Sequence, residues 1–254
     1  NYYNDGNDNN NDNTNNNNNM NMNNDKSNNN NNTTITTTTI VRVGLLQMAP
    51  GTSEQENIQT ATSMIVEAAA MGAEIVVMPE LYQLGYCSLC PHIEGNNISG
   101  LYAWTDRACV DGANAFVATF SNLAKKLDMA IQASYLRAAP DGGPPENAVS
   151  LIDRHGDVVL SYSKVHTAVW SQCEAMTRPG NKVSVAMLDT RTAGSIAVGS
   201  MICADREFPE MPRMVAEAGA EVMLISNACD LTDWHLAMLR TRAFSNAVAI
   251  GMAN

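Results

Sequence analysis

Alternation of short apolar runs with amphipathic stretches of helical period predicts an α/β layered domain. Three observations carry it. Short strand-like apolar runs exchange with 3.6-period segments at both ends of the globular part. Hydrophobic residues make up 45% of the 254-residue chain, enough to bury a sizeable core. Reactive side chains fall directly after apolar strands, where open α/β sheets gather their sites.

The first segment lies outside that pattern. From Asn1 to about Asn32 the chain is mostly Asn with scattered Asp, and Thr33 to Thr39 is broken only by Ile35. Such a tract buries too little apolar surface to offset the entropy of ordering it. Residues 1–39 are therefore expected to be a disordered low-complexity tail, and 40–254 the folded domain.

Within the domain, Ile40, Val41, Val43, Leu45 and Leu46 read as a first buried strand. Ser53 with Glu56 three residues on has the form of a capping box. Ile58, Ala61, Ile65 and Ala68 then keep helical spacing until Gly72. Glu74 to Met78 is a second strand, ending at Pro79-Glu80. Phe116, Val117, Phe120, Leu123, Ala124 and Leu127 share one face of a helix spanning Ala113 to Leu127. Strands follow at Met129 to Tyr135, Ala148 to Ile152, Val158 to Tyr162, Val183 to Leu188 and Ile196 to Ile202. Turn signals such as Asp141-Gly142-Gly143 and His155-Gly156-Asp157 separate them. The last part alternates again, with helices expected over Phe208 to Ala220 and Asp233 to Ala247 and strands over Val222 to Ser226 and Val248 to Ala253.

The balance of charge narrows the function. A net charge of -11 disfavours nucleic acid, whose phosphates are bound by Lys and Arg. No stretch reaches the ~18 apolar residues of a membrane helix, and the first residues carry no secretory pattern. A cytoplasmic protein with six reduced cysteines is the expectation.

The chemistry concentrates at three positions. Glu80 follows Ile75-Val76-Val77-Met78-Pro79, Lys164 follows Val158-Val159-Leu160-Ser161-Tyr162-Ser163, and Cys203 ends the run Ile196 to Ile202 at a strand-to-helix turn. Taken singly, each has a bland reading: a free cysteine is a small buried hydrophobe, and a charge at a strand end is solvated. Together they have another. A thiol attacking an amide needs a proton acceptor and a donor for the developing oxyanion, which a carboxylate and a lysine supply.

These segments, with Gly44-Leu45-Leu46-Gln47-Met48, Tyr162-Ser163-Lys164-Val165-His166, Ile202-Cys203-Ala204-Asp205, Phe208-Pro209-Glu210 and Arg242-Ala243-Phe244-Ser245-Asn246, resemble the nitrilase (carbon-nitrogen hydrolase) superfamily from Val41 to Asn254. The resemblance implies a four-layer αββα sandwich and a Glu80, Lys164, Cys203 triad that cleaves a non-peptide carbon-nitrogen bond of a small amide through a thioester. It implies no metal or organic cofactor, and a homodimer or larger homo-oligomer. It matches a second, supporting glutamate to Glu174, and the backbone N–H of Ala204 to the oxyanion.

Three departures accompany it. Ala stands at 204 where relatives commonly carry a bulkier residue, and the Cys-Trp-Glu run of true nitrilases is absent, which favours amides. Relatives also continue beyond the position of Asn254, so the domain is expected to be incomplete at its C-terminal end. The alternative function is accordingly a catalytically inactive relative that binds or assembles. Cys87-Ser88-Leu89-Cys90 has the spacing of a redox pair or half a zinc site, but no second such pair accompanies it. A papain-like site would need a cysteine–histidine pair in its own context, which the sequence lacks.

Overall fold

The first sheet is assembled by strands that read in sequence order. In the computed structural model, which describes residues 39–86, 113–139, 141–171 and 173–254, β1 (Val43–Leu45), β2 (Ile75–Val77), β3 (Ala130–Arg137), β4 (Glu146–Ile152) and β5 (Val158–Ser163) lie side by side in that order. The first three run parallel and the last two antiparallel. A second sheet has the order β6 (Val185–Thr190), β7 (Gly194–Ile202), β8 (Val222–Ser226) and β9 (Ala249–Ala253), with β7, β8 and β9 parallel. Thr39–Asn254 makes one compact unit. The Asn-rich tail up to residue 38, the Cys87/Cys90/His92 motif, Trp104 and Cys109 lie outside the described residues.

The layering follows from the two-residue period of strands. Ile75 and Val77 point into a core shared with Val198, Ile202, Leu224 and Ile225 of the second sheet. Val76 and Met78 point the other way, to Ile65 of α1 (Glu54–Ala70) and to Phe116 and Phe120 of α2 (Ala113–Leu127). The second sheet is covered by α3 (Glu210–Glu217) and α4 (Asp233–Asn246). Four layers, αββα, result. A polar bridge crosses the inter-sheet core: Ser200 Oγ donates to Gln132 Oε1 at 2.7 Å, and Gln132 Nε2 donates to Ser226 Oγ at 3.1 Å. Directional bonds in an otherwise apolar layer fix how the sheets slide past one another.

Several expected boundaries shift for physical reasons. The first strand is confined to Val43–Leu45, because β1 borders only β2 in its sheet and Ile40 is 61% exposed. Ser53 caps α1 as expected, accepting the Glu56 N–H at 3.2 Å. The helix expected from Phe208 to Ala220 starts only at Glu210, after a 3-10 turn over Cys203–Glu207. Phe208 precedes Pro209 and is extended (φ -88°, ψ 115°), as a residue before proline must be. Helix α3 ends ahead of Gly219, whose φ of +98° reverses the chain.

The expectation of six reduced cysteines is corrected at Cys173, which is buried and disulfide-bonded. Pairing is decided by approach through space, which sequence spacing does not report. Among the described residues Cys203 and Cys229 are free. No helix among them is long and apolar enough to cross a membrane.

Candidate active site

The three residues singled out by their place after strands are brought together at one end of the two sheets. Glu80 lies just past β2, its N–H donating to the carbonyl of Asn227 beyond β8 at 3.1 Å, so the first and second sheets are stitched at this point. Leu81 follows with φ +48° and Cys203 follows β7 with φ +44°. Both are non-glycine residues in the left-handed region, a strain of about 1–3 kcal/mol each that surrounding structure must hold. Lys164 is held by its own backbone, its N–H bonded to Asn147 O and its carbonyl to Gly180 N, each at 2.8 Å. Position 180 requires glycine here, because a Cβ would come within 2.3 Å of the Ser163 carbonyl oxygen.

Lys164 Nζ sits between two carboxylates, 2.6 Å from Glu80 Oε1 and 2.8 Å from Glu174 Oε1, and all three side chains are fully buried. Asn147 Nδ2 adds a bond to Glu80 Oε1 at 2.8 Å. Glu174 is held by the Tyr86 hydroxyl at 2.7 Å and the Ala168 N–H at 3.0 Å. Glu174 is thus a buried partner of Lys164 and not an exposed loop charge. Two carboxylates on one ammonium leave the cluster with a surplus negative charge. Burial, with Glu174 nearby, pushes the Glu80 carboxyl up to about 7 against the opposing pull of Lys164. For Glu174, Lys164 and the hydrogen bonds outweigh burial and lower it, and for Lys164 the carboxylates outweigh burial and raise it.

Cys203 is close enough to Glu80 to influence its carboxyl. Glu80 Oε2 has no hydrogen-bond partner among the described residues. A free acceptor oxygen next to a thiol is the arrangement that proton abstraction requires. The turn that presents Cys203 is fixed by Asp205, whose carboxylate accepts from Tyr162 OH (2.6 Å), His166 N (2.9 Å) and Ile202 N (3.1 Å). His166 Nδ1 lies 3.0 Å from the same carboxylate, and its ring stacks on Phe208 at 3.7 Å.

Cys203 and Ala204 open on a cavity of about 430 Å³ whose other walls include Trp170, Arg206, Cys229 and His235. A neighbouring cavity reaches Glu80 and shares Tyr86 and Cys229 with the first. Asn147, Tyr86, Arg206 and Cys229 had no role assigned from sequence. Arg206 alone carried a signal, a charge set between an apolar strand and a helix. No group of His, Cys, Asp or Glu among the described residues could hold a metal ion.

An αββα sandwich that gathers a buried carboxylate, an ammonium and a strand-end thiol defines the class: an α/β fold with a cysteine-centred site. The chain belongs to the carbon-nitrogen hydrolase family, whose profile matches residues 42–254. It is similar to the citrullinase of Francisella tularensis, 29% identical over 190 residues, 74% of this chain and 61% of that protein. It is also similar to the N-carbamoylputrescine amidase of Oryza sativa, 30% identical over 190 residues, 74% of this chain and 58% of that protein. The chain thus spans about three fifths of the length of these relatives. A mutant of the Nesterenkonia AN1 amidase from the nitrilase superfamily shares the fold at a TM-score of 0.66, with 23% identity over 84% of this chain and 76% of the amidase.

Proposed function

We propose that the protein hydrolyses an amide or carbamoyl carbon-nitrogen bond of a small molecule, with Cys203 as nucleophile, Glu80 as general base and acid, and Lys164 as oxyanion donor. The observation that carries it is the buried Lys164 ammonium held 2.6 Å from Glu80, with the Cys203 thiol beside that same carboxylate. Glu80 takes the thiol proton and the sulfur attacks the carbonyl carbon. The negative oxygen that forms is met by Lys164 and by the N–H of Ala204. Glu80 then protonates the leaving ammonia or amine, and activates the water that cleaves the thioester. A carboxyl poised near 7 suits both steps. The intact cluster favours catalysis over the inactive binding protein.

The names of the relatives point the substrate panel toward ureido compounds and simple amides. Ammonia release should be measured for N-carbamoyl amines, citrulline and ω-amides, with Cys203→Ala in parallel. A substrate turned over by the chain and not by the variant supports the reading, and equal turnover by both overturns the nucleophile. The reading includes a cytoplasmic setting for the free thiols Cys203 and Cys229. It also includes a homo-oligomer that covers the apolar face of α4, on which Trp234 and Phe244 are 84% and 90% exposed.

A further inference from the structure

We propose that Cys203 and Cys229 form a reversible disulfide in response to peroxide, closing the site while it persists. Cys229 has no part in the hydrolysis above, yet it lines the same cavity as Cys203, and Arg206, another wall of that cavity, donates to it. The fold puts them there. Strands β7 and β8 are parallel neighbours with Ile202 opposite Ser226, so the chain leaves them side by side, Cys203 one residue and Cys229 three residues past that pair. The turns that follow the two strands bring both side chains to the wall of one cavity at that end of the sheet.

The surroundings of Cys229 are those of an oxidisable sulfur and not of a packing residue. Arg206 Nη2 and Asn227 Nδ2 donate to it at 3.3 and 3.4 Å. With Cys203 as the largest influence, they hold the Cys229 thiol down to about 5, and the Cys203 thiol is raised in turn. The donors around Cys229 favour its thiolate over that of Cys203. A thiolate is the form that reacts with peroxide.

The step balances. Hydrogen peroxide transfers one oxygen to the Cys229 thiolate, giving a sulfenic acid and releasing hydroxide. The Cys203 sulfur attacks the Cys229 sulfur, the S–O bond breaks, and the Cys203 proton leaves with the departing hydroxyl as water. Two electrons pass from the two sulfurs to peroxide, and a dithiol returns them. Loss of activity on closure rests on the proposed role of Cys203, but the bond itself does not. The arrangement also protects Cys203, since a cysteine held in a disulfide does not climb to the sulfinic acid.

The full chain is treated with hydrogen peroxide, its free thiols are alkylated, and it is digested with trypsin without reduction. Cleavage after Arg191, Arg206, Arg213 and Arg240 places Cys203 in residues 192–206 and Cys229 in 214–240. The expected result is these two peptides joined, two hydrogens lighter than their sum and separated by dithiothreitol, with activity returning in step. In Cys229→Ser and Cys229→Ala, each normalised to its own starting activity and melting temperature, peroxide should oxidise Cys203 to the sulfinic acid beyond rescue by dithiothreitol. Both cysteines alkylated separately after peroxide has abolished activity, or either joined to a different cysteine, would overturn the proposal. A joined peptide together with an active Cys203→Ala variant would leave the disulfide standing and remove the nucleophile assignment.

Discussion

The half of the molecule built on β1–β5 and the half built on β6–β9 contribute to the site in opposite ways. The first brings charge. Glu80 and Lys164 stand beyond strand ends of a sheet covered on its far face by α1 and α2, with Phe116 and Phe120 buried, and Glu80, Lys164 and Glu174 are paired within 2.8 Å. The second brings reactivity. Cys203 sits in a left-handed conformation, shares a cavity with Cys229, and belongs to a sheet whose outer helix α4 has no buried residue. The charged groups are fixed where all three side chains are fully buried, and the proposed nucleophile is held on a left-handed turn that opens on a cavity.

The largest effect should come from the reactive half. Cys203→Ala removes the proposed nucleophile, and kcat for any accepted amide should fall by about 10^4-fold or more with the fold retained. A smaller loss accompanied by a thioester elsewhere would move the chemistry off β7.

Glu80→Gln tests the charged half, with an expected loss of about 10^3-fold, within the range for removing a general base. The wild-type profile should rise with pH through about 7, as Glu80 becomes the carboxylate that accepts the thiol proton. The sign for stability is the reverse. The folded protein binds a proton on Glu80 that the unfolded chain has lost above its ordinary value of 4.5, so this contribution is full below 4.5 and disappears as pH rises through about 7. The window amounts to on the order of 3 kcal/mol. Glu80→Gln should abolish that slope and melt higher than wild type at pH 8. Identical pH dependence in the two proteins would mean that Glu80 is ionised throughout.

Lys164→Met leaves Glu80 and Glu174 buried without their common cation. A cost of about 3–5 kcal/mol is expected in urea unfolding at pH 8, partly recovered at pH 5 as a carboxyl takes up a proton. A variant as stable as wild type at pH 8 would show that water reaches the cluster. Tyr86→Phe is milder, because Glu174 keeps Lys164 and the Ala168 N–H. About 1 kcal/mol and a tenfold loss or less are expected, seen in kcat more than in KM if Glu174 acts by placing Lys164.

Legibility in the sequence divides along the same line. Glu80, Lys164 and Cys203 were readable because each ends an apolar run, and a strand end is a local feature. Glu174 was reachable only through resemblance, since residues 173–184 form no strand or α-helix and nothing local says that the side chain turns inward. Asn147 and Tyr86 act through partners 67 and 88 residues away. Cys229 looked like one more reduced thiol until β8 was laid beside β7. The strand order of both sheets was also beyond reach, because period-2 patterning tells which face is buried and not which strand is the neighbour.

The smallest effect belongs to α4, and it bears on what completes the second half. Phe244 is 90% exposed, while neighbouring polar contacts, Arg213 Nη2 to Ser245 O at 3.0 Å and Arg242 Nη2 to Glu207 O at 3.2 Å, hold the helix from its other side. Phe244→Ser removes no packing within the chain, so urea unfolding of the monomer should shift by less than about 0.5 kcal/mol. If a second copy covers this face, the same change should raise the dissociation constant of the assembly, because a buried phenyl ring contributes about 1.5–3 kcal/mol. Sedimentation velocity across a dilution series separates the two effects. An assembly that Phe244→Ser does not weaken would leave α4 uncovered and turn the search for a contact to β6, the other border of the second sheet.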